Sequence, residues 1–147
     1  MVLLNTATIV CIGLMIGTEF AVSAFINPVL WKLEDHAQME AIRLFAAKLG
    51  FAMPFWYGLG FLLLLTETFV SRHQSHVVML AVASGIWAVV IILTLLFLVP
   101  INNRLARSET SAVTERALRD HRKWDTLHRW RVLALTSAMV MFLTSIR

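Results

Sequence analysis

A glutamate in the middle of an apolar stretch is the first residue of this chain that needs a chemical explanation. Glu19 stands between two uncharged runs, Met1 to Thr18 and Phe20 to Trp31. A carboxylate mid-span costs about 2.5–3.5 kcal/mol on membrane-insertion scales, so such groups face the protein interior and are functional candidates by default. A second set lies towards the other end of the chain, where His121, Trp124 with Asp125, His128 and Arg131 follow at helical spacing and share one helix face. Imidazole is suited to proton transfer near neutral pH, and His128 has Asp125 in line three residues before it. The adjacent amides Asn102 and Asn103, followed by Arg104, offer more polar donors than a turn requires. Asn27, beside Pro28, closes the first apolar region.

Helices must position these groups. Of the 147 residues, 59% are apolar and 15% charged, against roughly 25% charged in an ordinary soluble domain. Uncharged runs from Leu49 to Thr66, Val77 to Asn103 and Val132 to Ile146 join the two already named. A spanning helix needs about 20 predominantly apolar residues; bridging Glu19 therefore yields four spans, near residues 4–29, 45–69, 77–99 and 126–146. A transmembrane barrel would show ten-residue segments of alternating polarity, and none occurs. The expected fold is all-α: one integral membrane four-helix bundle over residues 1–147, with a short interfacial helix at Lys32 to Lys48 after helix 1 and a long cytoplasmic extension of helix 4. The last uncharged run, Val132 to Ile146, covers only about 22 Å at 1.5 Å per residue, less than a hydrocarbon core of about 30 Å. The His128–Arg131 end must therefore reach membrane level.

The net charge of +4 would point to nucleic acid in a soluble protein, but placement explains it better. Eleven of the basic residues flank loops 1–2 and 3–4, and only Arg72 and Arg147 lie on the other side, which by the positive-inside rule puts both termini outside the cytoplasm. A bacterial inner membrane is the expected location. The Val22-Ser23-Ala24 tripeptide resembles a signal cleavage site, but no basic n-region precedes it and Glu19 does; helix 1 is read as retained. The lone Cys11 excludes an internal disulfide. Gly13, Gly17, Ala21 and Ala24 form a small-residue stripe for close helix packing or a homo-oligomer. Pro54, with Gly50, Gly58 and Gly60, predicts a kink in helix 2 that opens space. Glu67, near Arg72, is expected to be a solvated charge, and His73 and His76 polar loop residues. Pro100 to Arg104 is expected to stop helix 3, and Ser111 and Thr114 are candidate caps for a segment leading into helix 4. No metal or other cofactor is expected; the nearest approach to a metal site is His121, Asp125 and His128 with Glu19, short of the ligand count such sites demand.

Gly17, Glu19, Asn27 and Pro28 in helix 1, the Pro-Ile-Asn-Asn-Arg block at Pro100 to Arg104, and the Trp-x-x-x-His-x-x-Arg of Trp124, His128 and Arg131 resemble the anthrone-oxygenase-like family of small four-helix membrane proteins. The resemblance implies that the chain shares their pocket. Some members oxidise polycyclic anthrones to anthraquinones with molecular oxygen and no evident cofactor, while others have no assigned reaction. On that footing His128 would be the base, Asn102 and Asn103 would hold the oxyanion, Trp124 would stack on the rings, and Glu19 would relay a proton. Asn27, Arg104 and Arg131 complete the expected substrate contacts. Expected partners are membrane lipids and a hydrophobic small molecule, with no nucleic acid. Two rivals remain: a proton- or cation-linked transporter using Glu19, and a membrane anchor or assembly protein whose basic loop meets anionic lipid.

Overall fold

The computed structural model describes residues 1–107 and 115–146, so the candidate caps Ser111 and Thr114, and Arg147, lie outside the described residues. These fold into four helices: α1, Val2–Leu30; α2, Asp35–Val70; α3, Val77–Ala106; and α4, Glu115–Ser145. The first three are long and apolar enough to cross a membrane, which makes this an integral membrane protein. α4 fails that criterion because every charge of the stripe from Glu115 to Arg131 precedes its apolar half. Much of the outer surface is apolar: Leu14, Phe51, Phe55, Leu62, Phe69 and Leu96 are all more than half exposed, as lipid-facing positions are.

Thr8, early in α1, meets Glu67, late in α2, and Ala46, early in α2, meets Asn102, late in α3. Successive helices therefore run in opposite directions. α1 packs against α2 and α4, and α3 against the same two.

Pro28 and Pro100 are both carried within a helix near its end. Pro28 has no N–H, which leaves the carbonyl of Ala24 without its donor, and α1 absorbs the defect with a π-helical turn at Val22–Ile26 in which the Asn27 N–H donates to the Val22 carbonyl, five residues back. α3 repeats the device. Ahead of Pro100 it makes a π turn at Thr94–Leu98, with the Val99 N–H donating to Thr94, and then runs on to Ala106. Pro28 thus sits in the last turn of α1, which closes at Leu30 with Trp31 as its cap, in line with the expected end of helix 1, whereas the stop expected at Pro100 to Arg104 falls inside α3, which ends at Ala106.

The separate interfacial helix expected between Lys32 and Lys48 is likewise absent as a separate element. Nothing between Asp35 and Phe51 breaks helical pairing, so this segment forms the opening turns of the 36-residue α2, about 54 Å long at 1.5 Å per residue.

Two apolar cores result. One gathers Ile12, Met15, Leu64, Leu80, Trp87, Leu135 and Phe142; the other gathers Leu30, Met39, Ile42, Ala46, Ile101, Leu105 and Ala117. On α1 the gap between them holds Glu19, and on α4 it holds His121, Asp125, His128 and Arg131. Glu67, expected to be solvated, is wholly buried and accepts a hydrogen bond from Thr8 Oγ1 at 3.0 Å. Its place at the end of α2 turns it inward onto α1, away from Arg72, whose guanidinium instead bonds the Phe69 carbonyl.

Candidate functional site

Between the two cores, all four helices enclose a cavity of about 360 Å³, at the small end of the range for ligand pockets. α1 supplies Glu19 and Val22, and α4 supplies Trp124, His128 and Arg131. Asn102 and Asn103 arrive from the end of α3, beyond its π turn. Six of the eight residues singled out in the sequence therefore share one cavity wall.

Charge in that wall is arranged around Glu19. Its Oε2 accepts a hydrogen bond from Arg131 Nη2 at 2.6 Å and lies 3.2 Å from His128 Nδ1, with both Glu19 and His128 at most 2% exposed. The donor inventory fixes the imidazole's tautomer. Arg131 Nη2 is also 2.8 Å from His128 Nδ1, and a guanidinium can only donate, so Nδ1 accepts. His128 Nε2, 3.0 Å from the Glu19 main-chain carbonyl, then carries the proton and donates it. Trp124 covers one face of the ring, stacked at 4.6 Å and 12°, and the Arg131 guanidinium sits 5.4 Å from the centre of the Tyr57 ring. The carboxylate is thus neutralised by an arginine and ordered against a neutral histidine, with Glu19 and His128 buried and Arg131 partly so.

The remaining predicted residues are placed differently. Asn102 lines the cavity, but its Nδ2 already donates to the Ala46 carbonyl at 2.8 Å, so that donor is engaged within the fold; Asn103 is exposed. Asn27 donates to Asp125 Oδ1 at 2.7 Å, and Asp125 Oδ2 accepts from Arg129. It borders a smaller chamber of about 30 Å³ that adjoins the main cavity and also touches His121. Arg104 points away, into a two-pronged ion pair with Asp120 at 2.7 and 2.9 Å, which holds the Asp120 carboxyl below its usual range. His121 stacks on Trp31 at 4.6 Å, and burial brings its pKa down to about 4 against the opposing pull of Asp125. The three groups of the nearest metal arrangement serve different neighbours, and among the described residues no group of three or more His, Cys, Asp or Glu side chains could hold a metal ion.

Sequence reading missed Tyr57 and Thr94, both in the cavity wall. Each carries a buried hydroxyl with no hydrogen-bond partner, and so does the buried Nε of Arg131. A sequence signal existed for Tyr57, and a structural one marks Thr94. Tyr57 is the single tyrosine of the chain, one turn past Pro54. Thr94 opens the π turn and makes no bond back along its helix, whereas Thr6, Thr18, Thr66 and Thr136 each donate to the carbonyl four residues before them. The space that Pro54 and its glycines were expected to open is present: Gly50, Pro54 and Gly58 all line the cavity, while Gly60 instead admits Trp87 against α2.

The sequence profile described as anthrone oxygenase matches residues 42–141. The chain belongs to the anthrone oxygenase family. The matched stretch takes in Asn102, Asn103, Trp124, His128 and Arg131, while Glu19 and Asn27 lie before it. No curated protein and no solved structure matches the chain.

Proposed function

We propose that this family member is a membrane-embedded oxidoreductase that oxidises a hydrophobic aromatic small molecule, anthrone- or quinone-like, in the cavity walled by Glu19, His128 and Arg131. The observation that carries the reading is that buried ionic cluster in the wall of an otherwise apolar cavity large enough for a ligand. An anthrone-type carbon is acidic because its carbanion is a phenolate. The His128–Glu19 pair takes the proton: Arg131 Nη2 gives up its hydrogen bond to Nδ1, and the imidazolium formed there faces the Glu19 carboxylate 3.2 Å away. Arg131 balances the negative charge that develops on the ring oxygen, which is electrostatic stabilisation by a preordered group. Trp124 and Tyr57 present aromatic faces to the ring system. Dioxygen is the oxidant: the methylene carbon loses two hydrogens and gains one oxygen as a carbonyl, and the second oxygen atom leaves as water.

The transporter reading is less well supported. Going along α1 from Glu19 to Thr8 and its partner Glu67, the inward positions are Met15 and Ile12, both at most 1% exposed and packed with Leu64 and Trp87. Among the described residues that stretch offers no polar stepping stones for a proton or cation. The eleven-to-two distribution of basic residues supports placing the Asn102 end of the molecule in the cytoplasm with both termini outside.

The test is anthrone oxidation by the purified protein in lipid vesicles under air, followed by the absorbance of the anthraquinone. Replacing His128 by Ala or Glu19 by Gln is expected to slow the rate by about 10²-fold or more, the usual contribution of a positioned acid–base group. A folded His128→Ala variant that turns over anthrone as fast as the wild type sinks the mechanism.

A further inference from the structure

We propose that the cavity is loaded sideways from the lipid, through a slot between α2 and α3 in which Gly58 sets the width available to the ligand. This rests on reading the cavity as the substrate site, and it concerns how a ligand reaches that site. The walls divide by exposure. Glu19, Val22 and His128 are buried and form the floor, whereas Gly50 and Pro54 of α2 and Leu95 of α3 are exposed while lining the same cavity. The mouth therefore lies between α2 and α3, both of which are long and apolar enough to cross a membrane.

The α2 side of the slot is bare for a structural reason. Gly50, Pro54 and Gly58 are four residues apart and stack on one helix face, so nothing larger than a proline ring projects there. A Cβ built on Gly58 meets no atom within 4 Å, although the residue is half-buried and lines the cavity: the space in front of it is open. The rim is apolar apart from Asn103 and the Asn102 amide beside Gly50, and its neighbours Phe51, Phe55, Leu96 and Phe97 are 73%, 71%, 61% and 48% exposed, a surface suited to acyl chains. At the inner end, Tyr57 is 95% buried with an unpartnered hydroxyl. The slot thus joins a lipid-facing apolar entrance to a polar inner wall, which fits a flat, apolar molecule already dissolved in the bilayer and carrying a polar edge.

The experiment places a nitroxide at Leu95→Cys, and as a reference at Lys123→Cys, each with Cys11→Ser, in full-length protein reconstituted in phosphatidylcholine vesicles. The expected result is that oxygen, which concentrates in lipid, relaxes the Leu95 label several-fold more strongly than a water-soluble nickel chelate does, with the order reversed at Lys123. Nickel dominating at Leu95 places the mouth in water and overturns the proposal. In parallel, Gly58→Leu extends a side chain into the slot from a position where a Cβ meets no neighbour within 4 Å. Its kcat/KM for vesicle-dissolved anthrone is expected to fall tenfold or more at unchanged thermal stability, and an unchanged value means the ligand passes elsewhere, which also overturns the proposal. Label accessibility requires no turnover. A wild-type protein that fails to oxidise anthrone therefore overturns the enzymatic reading while the nitroxide result still decides the route.

Discussion

Replacing Arg131 by Met removes the one guanidinium that faces Glu19 and leaves a carboxylate 2% exposed with His128 and Tyr57 beside it. Arg131 makes three contacts through that head group: 2.6 Å to Glu19 Oε2, 2.8 Å to His128 Nδ1 and a cation–π approach to Tyr57. Breaking a buried ion pair from one side destabilises by about 3–5 kcal/mol, because the remaining charge stays desolvated. Protonation of His128 relieves part of this, so the lower end, about 3 kcal/mol, is expected for Arg131→Met. At roughly 3 °C per kcal/mol for a chain of this size, the midpoint falls by about 10 °C. Glu19→Leu leaves a guanidinium that can follow its flexible stem towards the cavity, and is expected to lose about 2 kcal/mol. The double variant leaves no stranded charge, so it is expected to be more stable than the two single losses imply, with a coupling of about 2–3 kcal/mol, near the top of the range for residues in direct contact. Thermal unfolding in detergent, followed by tryptophan fluorescence for the four proteins, measures the cycle. A coupling below about 0.5 kcal/mol, the low end for contacting residues, would mean that water in the cavity already screens the pair, and the account of a desolvated ionic floor would fail.

Two further predictions follow from packing and burial. A Cβ on Gly50 would stand 2.5 Å from Asn102 Nδ2, so Gly50→Ala must push the amide off the Ala46 carbonyl; a loss of about 1 kcal/mol is expected, one intramolecular hydrogen bond, and combining it with Asn102→Ala should add little to the single losses. His121 is neutral in the folded protein, with its pKa brought down to about 4 from an ordinary 6.5, so the unfolded chain binds the extra proton between those values and stability falls as pH drops from about 6.5 towards 4, by up to about 1.4 kcal/mol per pH unit. His121→Phe, which keeps the stack on Trp31, is expected to be less acid-sensitive than the wild type over that window; identical pH profiles by thermal unfolding would show that His121 is hydrated in the fold.

The long helices were legible because a membrane leaves few alternatives for an apolar run of this length, and Glu19 and the α4 stripe stood out for the same reason: they break the run. What the sequence hid was how helices continue and which groups meet. Pro100 read as a stop because helix breaking by proline is a local rule, whereas a π turn upstream lets α3 run on to Ala106. Glu67 read as solvated because Arg72 is close in sequence, yet its partner Thr8 is 59 residues away. Asn102 and Arg104 read as site donors because they are polar and adjacent, but one is engaged by Ala46 and the other by Asp120, contacts that exist only after α2 and α4 have packed.

In an apolar interior each polar group needs a partner from the protein, from water or from a ligand. The Glu19 carboxylate and His128 Nε2 find theirs within the fold, across 112 and 109 residues of sequence, and His128 Nδ1 finds Arg131 three residues on. The Tyr57 and Thr94 hydroxyls and Arg131 Nε do not, and all three belong to residues of the cavity wall. A ligand with oxygen atoms along one edge would supply the missing partners after small rotations of those side chains. Tyr57→Phe and Thr94→Val should then leave stability unchanged within about 0.5 kcal/mol, as expected when no protein hydrogen bond is removed, while weakening anthrone binding measured by titration into vesicles. Retention of full affinity by both would show that these hydroxyls have no part in holding the substrate.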